Sequence, residues 1–426
     1  MNIVEHYLQR YSSPQRLVQE NPDPRLGFIV VVPACREEKL IQALTSLFHC
    51  SPPQSHTAEV LVVMNLPENA PAETIRQHKQ WVEETQQWIH QHQRNELVFH
   101  VVNAFFPAKY AGVGMARKTG MDEAVRRFYA AGNFNGMIIS FDADCTCEHN
   151  YFTAIEEACS QSFVAPGYSL WFEHPLEGEE YPPAIYHAIL LYELFLRYYV
   201  EILRWCRFPF AFHTLGSSFA VSLKAYCMQG GMNKLKAGED FYFLNKIMML
   251  GSYSEINTTT VYPSPRMSDR VPFGTGAAVS SIVRNNDKSY PVFHPRAFYA
   301  LKELFDEIEQ YYDCPAASIN THIHGYAEPL RTFLHKNKAE DAILSIRENC
   351  ASPRSFRKRF FQWMNGLQVL HYLNQSHSSF YQKIPVADAV EKFVNEKIEK
   401  QNFSSPRQML EYLRKRQKSS SYLPPW

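Results

Sequence analysis

Asp142-Ala143-Asp144 closes the apolar run Gly136-Met137-Ile138-Ile139-Ser140-Phe141. Two carboxylates one residue apart at the end of a buried strand repel each other unless a cation lies between them. Hard divalent ions such as Mg2+ and Mn2+ take oxygen ligands and commonly bridge one or two carboxylates to substrate phosphates. A diphosphate leaving group needs that help, because charge builds on it as its bond breaks. Asp142 and Asp144 are therefore the expected metal ligands, and Mn2+ or Mg2+ the expected cofactor. The plainer role for these acids is a solvated loop or the cap of a helix over 148–160. A second acidic feature, Gly238-Glu239-Asp240, opens an amphipathic segment, where carboxylates also gain from the positive end of a helix dipole. A third stretch, Lys109-Tyr110-Ala111-Gly112-Val113-Gly114-Met115-Ala116-Arg117, sets a glycine before a helix, so that backbone and a nucleotide can approach closely. Its Arg117 can reach a diphosphate or brace the loop that carries the two aspartates.

These residues need a frame. Residues 1–25 read as a helical arm and a Pro-rich lead-in. Short β-branched runs at 27–34, 58–65, 97–103 and 136–144 predict buried strands, separated by helices over 36–50, 71–94 and 113–131. That alternation predicts a parallel α/β sheet, on which ligands bind at the carboxyl ends of the strands. The acids of 142–144 fall at such an end. Further strands are expected at 162–172, 213–223 and 258–265, then a Gly-rich loop at 270–278. Beyond about 290 the periodicity is helical, over 296–312, 339–350, 355–374 and 386–400, while His322-Ile323-His324 reads as loop and the last residues as loose.

Composition narrows the function. Forty-three basic and forty-three acidic residues balance, which argues against a nucleic-acid partner. Nine cysteines without a CxxC pair fit reduced thiols in the cytoplasm. No basic-then-apolar leader opens the sequence. The most apolar stretch, 184–210, carries Glu193, Arg197, Glu201 and Arg204 on one helical stripe. A membrane-crossing helix wants about 20 mostly uncharged residues, so this segment reads as a buried helix of a cytoplasmic protein. Peripheral association at the inner face of the membrane is the alternative.

With those blocks in place, residues 27–285 resemble family 2 glycosyltransferases of GT-A fold. The resemblance rests on order: Pro33-Ala34-Cys35-Arg36-Glu37-Glu38 where the family has a Pro-x-Tyr-Asn-Glu turn, then the Gly112/Arg117 block, then Asp142-Ala143-Asp144, then Gly238-Glu239-Asp240. It implies an α/β fold with a GT-A (Rossmann-like nucleotide-diphospho-sugar transferase) domain over 26–285 and an α-helical domain over 286–426 that completes the acceptor side or an oligomer contact. It implies donor contacts at Pro33, Glu37, Asn65, Lys109, Gly112, Arg117, Asp142, His213 and Arg270. Asn65 stands where the family usually has Asp, leaving the base open. Asp240, beside Glu239, would be the catalytic base toward an acceptor hydroxyl, with inversion at the anomeric carbon. The implied activity is hexosyltransferase-type: a metal-dependent transfer from a nucleoside-diphosphate sugar to a sugar, lipid-linked or small-molecule acceptor, in surface polysaccharide or glycolipid assembly.

Other classes read the same residues differently. Asp142 and Asp144 also satisfy the DxDx(T/V) pattern of haloacid-dehalogenase-type phosphatases, but no later lysine motif or GDxxxD cluster follows. A nucleotidyltransferase would carry a G-x-G-T-R loop after the first strand, and none is present. A catalytically silent nucleotide-sugar-binding module would have no use for Asp240.

Overall fold

The computed structural model describes residues 2–13, 15–161, 164–270, 272 and 274–425. The elements run α1 (Ile3–Arg10), β1 (Leu26–Ala34), α2 (Leu40–Phe48), β2 (Thr57–Pro67), α3 (Ala72–Gln91), β3 (Leu97–Phe106), α4 (Val113–Ala131) and β4 (Met137–Ser140). They continue with β5 (Thr146–Cys147), α5 (Tyr151–Cys159), β6 (Gly167–Phe172), α6 (Pro183–Trp205), β7 (Phe219–Ser222), α7 (Leu223–Met228), α8 (Glu239–Met248) and β8 (Ser254–Tyr262). The chain then becomes helical from α9 (Thr275–Arg284), with α10 (Pro295–Glu307), α11 (Gln310–Asp313), α12 (Ser318–Gly325), α13 (Glu328–Lys336) and α14 (Ala339–Glu348). It ends with α15 (Pro353–Trp363), α16 (Gly366–Ser379), α17 (Val386–Lys397) and α18 (Pro406–Lys418). The α/β class and the helical C-terminal stretch expected from the sequence are both present.

Two compact units partition the chain. The first holds residues 1–181 and 214–277, the second 182–213 and 278–426. The expected single boundary at 285/286 lies eight residues later, and 182–213, counted there with the α/β part, belongs to the second unit.

In the first unit eight strands form one sheet in the order β3-β2-β1-β4-β7-β6-β8-β5. β1 pairs in parallel with β2 and β4, and β2 with β3. Every residue of β1 and β4 is buried, the pattern of strands covered on both faces. The sheet is mixed, not parallel throughout: β7 runs antiparallel to both β4 and β6, while β6 and β8 pair in parallel. β7 enters the sheet after a long excursion through the second unit, so its direction is not bound by the short crossovers that keep β1 to β4 parallel. Its register places Phe219 opposite Ser140, so the residues just before β7 meet the carboxyl end of β4. β4 itself stops at Ser140, leaving Asp142 and Asp144 on the turn beyond it. The strand expected over 162–172 is observed as β6; residues 162 and 163 lie outside those described.

α1 belongs to this unit. The Tyr7 hydroxyl donates to Asp122 Oδ1 of α4 at 2.7 Å, as does Tyr226 of α7, and Lys118 Nζ closes the group at 2.8 Å from Asp122 Oδ2. That buried knot fixes the helix carrying Arg117.

The second unit is helical, apart from a two-residue pairing of Pro291–Val292 with Ile384–Pro385. Its α6 is a buried helix whose charges are paired inside the protein: Glu193 accepts from Arg197 and from Arg414 of α18, and Glu201 from Arg416. No helix among the described residues is long and apolar enough to cross a membrane. The helix expected over 355–374 is broken at Asn365, whose side chain caps α16 by accepting from Leu367 and Gln368 N–H groups. His322 and His324 lie on α12, not on a loop.

Candidate active site: an acidic cluster threaded by arginines

Three carboxyl strand ends converge on one edge of the sheet. β1 delivers Glu37, β4 delivers Asp142 and Asp144, and the segment after β8 delivers Arg266 and Arg270. α4 contributes Arg117, and α8 contributes Glu239 and Asp240.

Arg117 is the buried centre. Its Nη2 donates to Asp142 Oδ1 at 2.6 Å, and its Nη1 donates to Glu239. Burial works against its charge, but Asp142, Glu239 and Asp240 outweigh that penalty and hold the guanidinium protonated. Gly216, in the turn before β7, lies against it: a Cβ there would sit 2.7 Å from Nη2. The expected direct contact of Arg117 with a diphosphate is therefore replaced by the bracing role, since its side chain is only 2% exposed. Glu239 changes role with it. Its carboxylate is buried on Arg117, so its charge ties α8 to α4 and is closed to a ligand.

Asp240 is the neighbour of Glu239. Gly238, with φ of 69°, turns the chain through the left-handed region immediately before α8, and Asp240 accepts from the Phe241 N–H at 2.7 Å. Desolvation, reinforced by Glu239 and Asp142 and opposed by Arg117, pushes its pKa up to about 7. A carboxylate poised there can take a proton near neutral pH. Asp142 is also pushed up, by burial first and by Asp144, against the pull of Arg117; about a third of its side chain remains exposed.

A second set of arginines holds the other carboxylates. Arg266 Nε donates to Asp144 Oδ2 at 2.7 Å and its Nη2 to Glu37 Oε2, also at 2.7 Å. Arg270 Nη1 reaches the same Glu37 oxygen at 3.0 Å, and its Nη2 the Arg36 carbonyl at 2.8 Å. The Glu37 carboxylate is thus committed to two guanidiniums in place of the expected nucleoside contact. Arg266 was not singled out by the sequence. The only signal was its spacing, four residues before Arg270 in the same basic segment. Of the Gly-rich loop at 270–278 that follows it, residues 271 and 273 lie outside those described.

The remaining expected residues fall in two groups. Pro33 and Asn65 lie buried at the carboxyl ends of β1 and β2, and Gly112 caps α4 beside Lys236. Lys109 is exposed, with its Nζ 5.3 Å from the Tyr110 ring centre. His213, by contrast, belongs to the second unit. Its ring is buried, its Nε2 lies 3.2 Å from Gln417 Oε1, and burial together with Arg197 and Arg204 drives its pKa well down. It is a packed, neutral histidine there, not a donor contact.

The donor set fits a divalent cation with phosphate ligands. Among the described residues no group of three or more His, Cys, Asp or Glu side chains forms a closed metal cage. Asp142 and Asp144 each keep one carboxylate oxygen clear of the arginines, and a Mg2+-like site needs only one or two carboxylates when phosphates supply the rest. When all are ionised, Glu37, Asp142, Asp144, Glu239 and Asp240 against Arg117, Arg266 and Arg270 leave two negative charges, the charge a divalent ion neutralises.

No family model matches the sequence, and no curated protein matches it. Among solved structures the chain is similar to residues 1–349 of TarS from S. aureus in complex with UDP-GlcNAc, at 14% identity and a TM-score of 0.39, over 80% of this chain and 92% of that one. It is also similar to the mannosyltransferase PcManGT from Pyrobaculum calidifontis in complex with GDP-Man and Mn2+, at 15% identity and a TM-score of 0.34, over 96% and 90% of the two chains. Likenesses this distant decide nothing about what the chain binds.

Proposed function

We propose that the first unit is a nucleotide-sugar-dependent glycosyltransferase of GT-A type. One observation supports this above the rest: Arg117 joins the aspartate pair after β4 to the acid pair that opens α8, so that two sequence-distant acidic motifs make one site. In this reading Asp142 and Asp144 hold a divalent cation, Mn2+ or Mg2+, which neutralises charge on the departing nucleoside diphosphate. Pro33 and Asn65 flank the nucleoside at the strand ends. Arg266 and Arg270 lie on the segment that faces the phosphates, and the exposed Lys109 is a further cation for the donor. Asp240 receives the proton of the acceptor hydroxyl as its oxygen attacks the anomeric carbon, and that geometry inverts the centre. The acceptor is a sugar, a lipid-linked or a small-molecule hydroxyl compound, and the setting is surface polysaccharide or glycolipid assembly.

A phosphatase of haloacid-dehalogenase type fits less well, because Asp142, its nucleophile, is tied to the buried Arg117. Thermal denaturation with UDP- and GDP-sugars, each with and without Mn2+, tests the proposal. A ligand that binds only the folded state raises the melting temperature; a rise that needs both sugar nucleotide and Mn2+ supports it, and no rise with any pair rejects it.

A further inference from the structure

The two aspartates are not equally available to a cation. Asp142 is braced by Arg117 from the buried side and keeps about a third of its side chain exposed. Asp144 is held from the open side by Arg266, whose other arm grips Glu37, so a single guanidinium ties the turn after β4 to the turn after β1. Glu37 is in turn secured by Arg270, and its side chain is only 6% exposed. Burial works against the charge of Arg266, but Asp144 and Glu37 raise its pKa above the ordinary arginine value.

We propose that Arg266 competes with the divalent cation for Asp144, and yields it only when a nucleoside diphosphate offers the guanidinium a stronger partner. The inference rests on the donor-site reading above and adds an order to it: cation binding waits for the donor. Asp144 keeps its other oxygen clear of Arg266, but a cation bound there would share one carboxylate with a guanidinium, and the two positive charges repel each other. A diphosphate changes the balance. Its oxygens match the planar fork of arginine and carry more charge than a carboxylate. Arg266 can turn to them, releasing Asp144 while Arg270 still anchors Glu37. By linkage, whatever factor the nucleotide contributes to cation affinity, the cation returns to nucleotide affinity.

Mn2+ binding, followed by calorimetry or by the signal of free Mn2+ in electron paramagnetic resonance, reads this without turnover. Titrations are run on the full chain with no nucleotide, then with UDP or GDP. The wild type should bind Mn2+ weakly alone and tightly with nucleotide. Arg266→Gln should bind Mn2+ alone about tenfold more tightly, and Arg266→Lys, which keeps a charge but reaches one carboxylate at a time, should fall between. Arg270→Gln, which loses a nearby charge without touching Asp144, should keep its nucleotide-free Mn2+ affinity within about threefold of wild type. An unchanged nucleotide-free affinity in both Arg266 variants overturns the inference and leaves the glycosyltransferase reading standing. An equal rise in the Arg266 and Arg270 variants overturns it too, since net charge would then suffice. If no protein binds Mn2+ even with UDP or GDP, the donor-site reading itself falls.

Discussion

Arg117 Nη2 lies 2.6 Å from Asp142 Oδ1, and it holds that carboxylate from a position sealed from solvent. A buried guanidinium is tolerable only while its acids surround it, and the acids keep their geometry only while it is there. The cluster is therefore a structural unit before it is a catalytic one, which separates the predictions for its core from those for its open face.

Removing the core charge should strongly destabilise the fold. Arg117→Ala leaves Asp142 and Glu239 facing each other without a counter-charge, and truncating one member of a buried ion pair costs about 3–5 kcal/mol. Arg117→Lys keeps the charge but loses the two-armed fork, so a smaller loss is expected. Urea unfolding measures both. A loss below about 1 kcal/mol in the alanine variant would show that Arg117 is not the brace.

Gly216 should resist even the smallest side chain. The Cβ of Gly216→Ala would lie 2.7 Å from Arg117 Nη2, and overpacking of this kind costs about 1–3 kcal/mol. Urea midpoints should fall accordingly, and the double variant with Arg117→Lys should lose less than the two single changes added together. Strict additivity would mean that the two positions do not touch.

Asp142→Asn and Asp144→Asn act on the open face, and their effect should appear in chemistry more than in folding. Each should lower kcat/KM for sugar-nucleotide turnover by about 100-fold or more, the scale of removing one preorganised electrostatic group. Mn2+ should no longer add to the melting-temperature rise given by the nucleotide. Full Mn2+ dependence in either variant would move the cation elsewhere.

The raised pKa of Asp240 makes two pH predictions. As a base it must be ionised, so log kcat/KM should climb with unit slope below about pH 7 and level above it. In stability the sign is opposite to that of a salt-bridged aspartate. The folded state holds the proton up to about pH 7 whereas the unfolded chain releases it near 4, so this group's contribution falls as pH rises between those values. Asp240→Asn, neutral throughout, should gain on the wild type across that window, its melting-temperature advantage growing by a few degrees from pH 4 to pH 8. A constant gap would mean that Asp240 titrates at an ordinary value.

Much of this arrangement was legible in the sequence. β1 to β4 and α4 could be read from period and β-branching, and the strand-end position of Asp142 and Asp144 followed. What stayed hidden depends on distant pairing. Arg117 was visible as a motif residue, but nothing local says that its partner is Glu239, 122 residues away. Arg266 sits in an irregular segment with no periodicity to mark it. The direction of β7 is set by a connection through the second unit. α18 carries a weak signal because its buried apolar residues are only Met409, Leu410 and Leu413 among many charges, and its polar face is paired with α6. His213 departs from the expected donor contact because a histidine before a strand looks the same in sequence whether it faces a ligand or Gln417.

The most direct test compares wild type with Asp240→Asn in a sugar-nucleotide turnover assay in Mn2+, with donor affinity measured on the same samples. The variant should bind UDP- or GDP-sugar within about threefold of wild type while transfer, or hydrolysis in place of an acceptor, falls by about 100-fold or more, the loss expected when a general base is removed. Wild-type turnover surviving in Asp240→Asn, or an absence of turnover and donor binding in the wild type, would contradict the assignment of this acidic cluster as a glycosyl-transfer site.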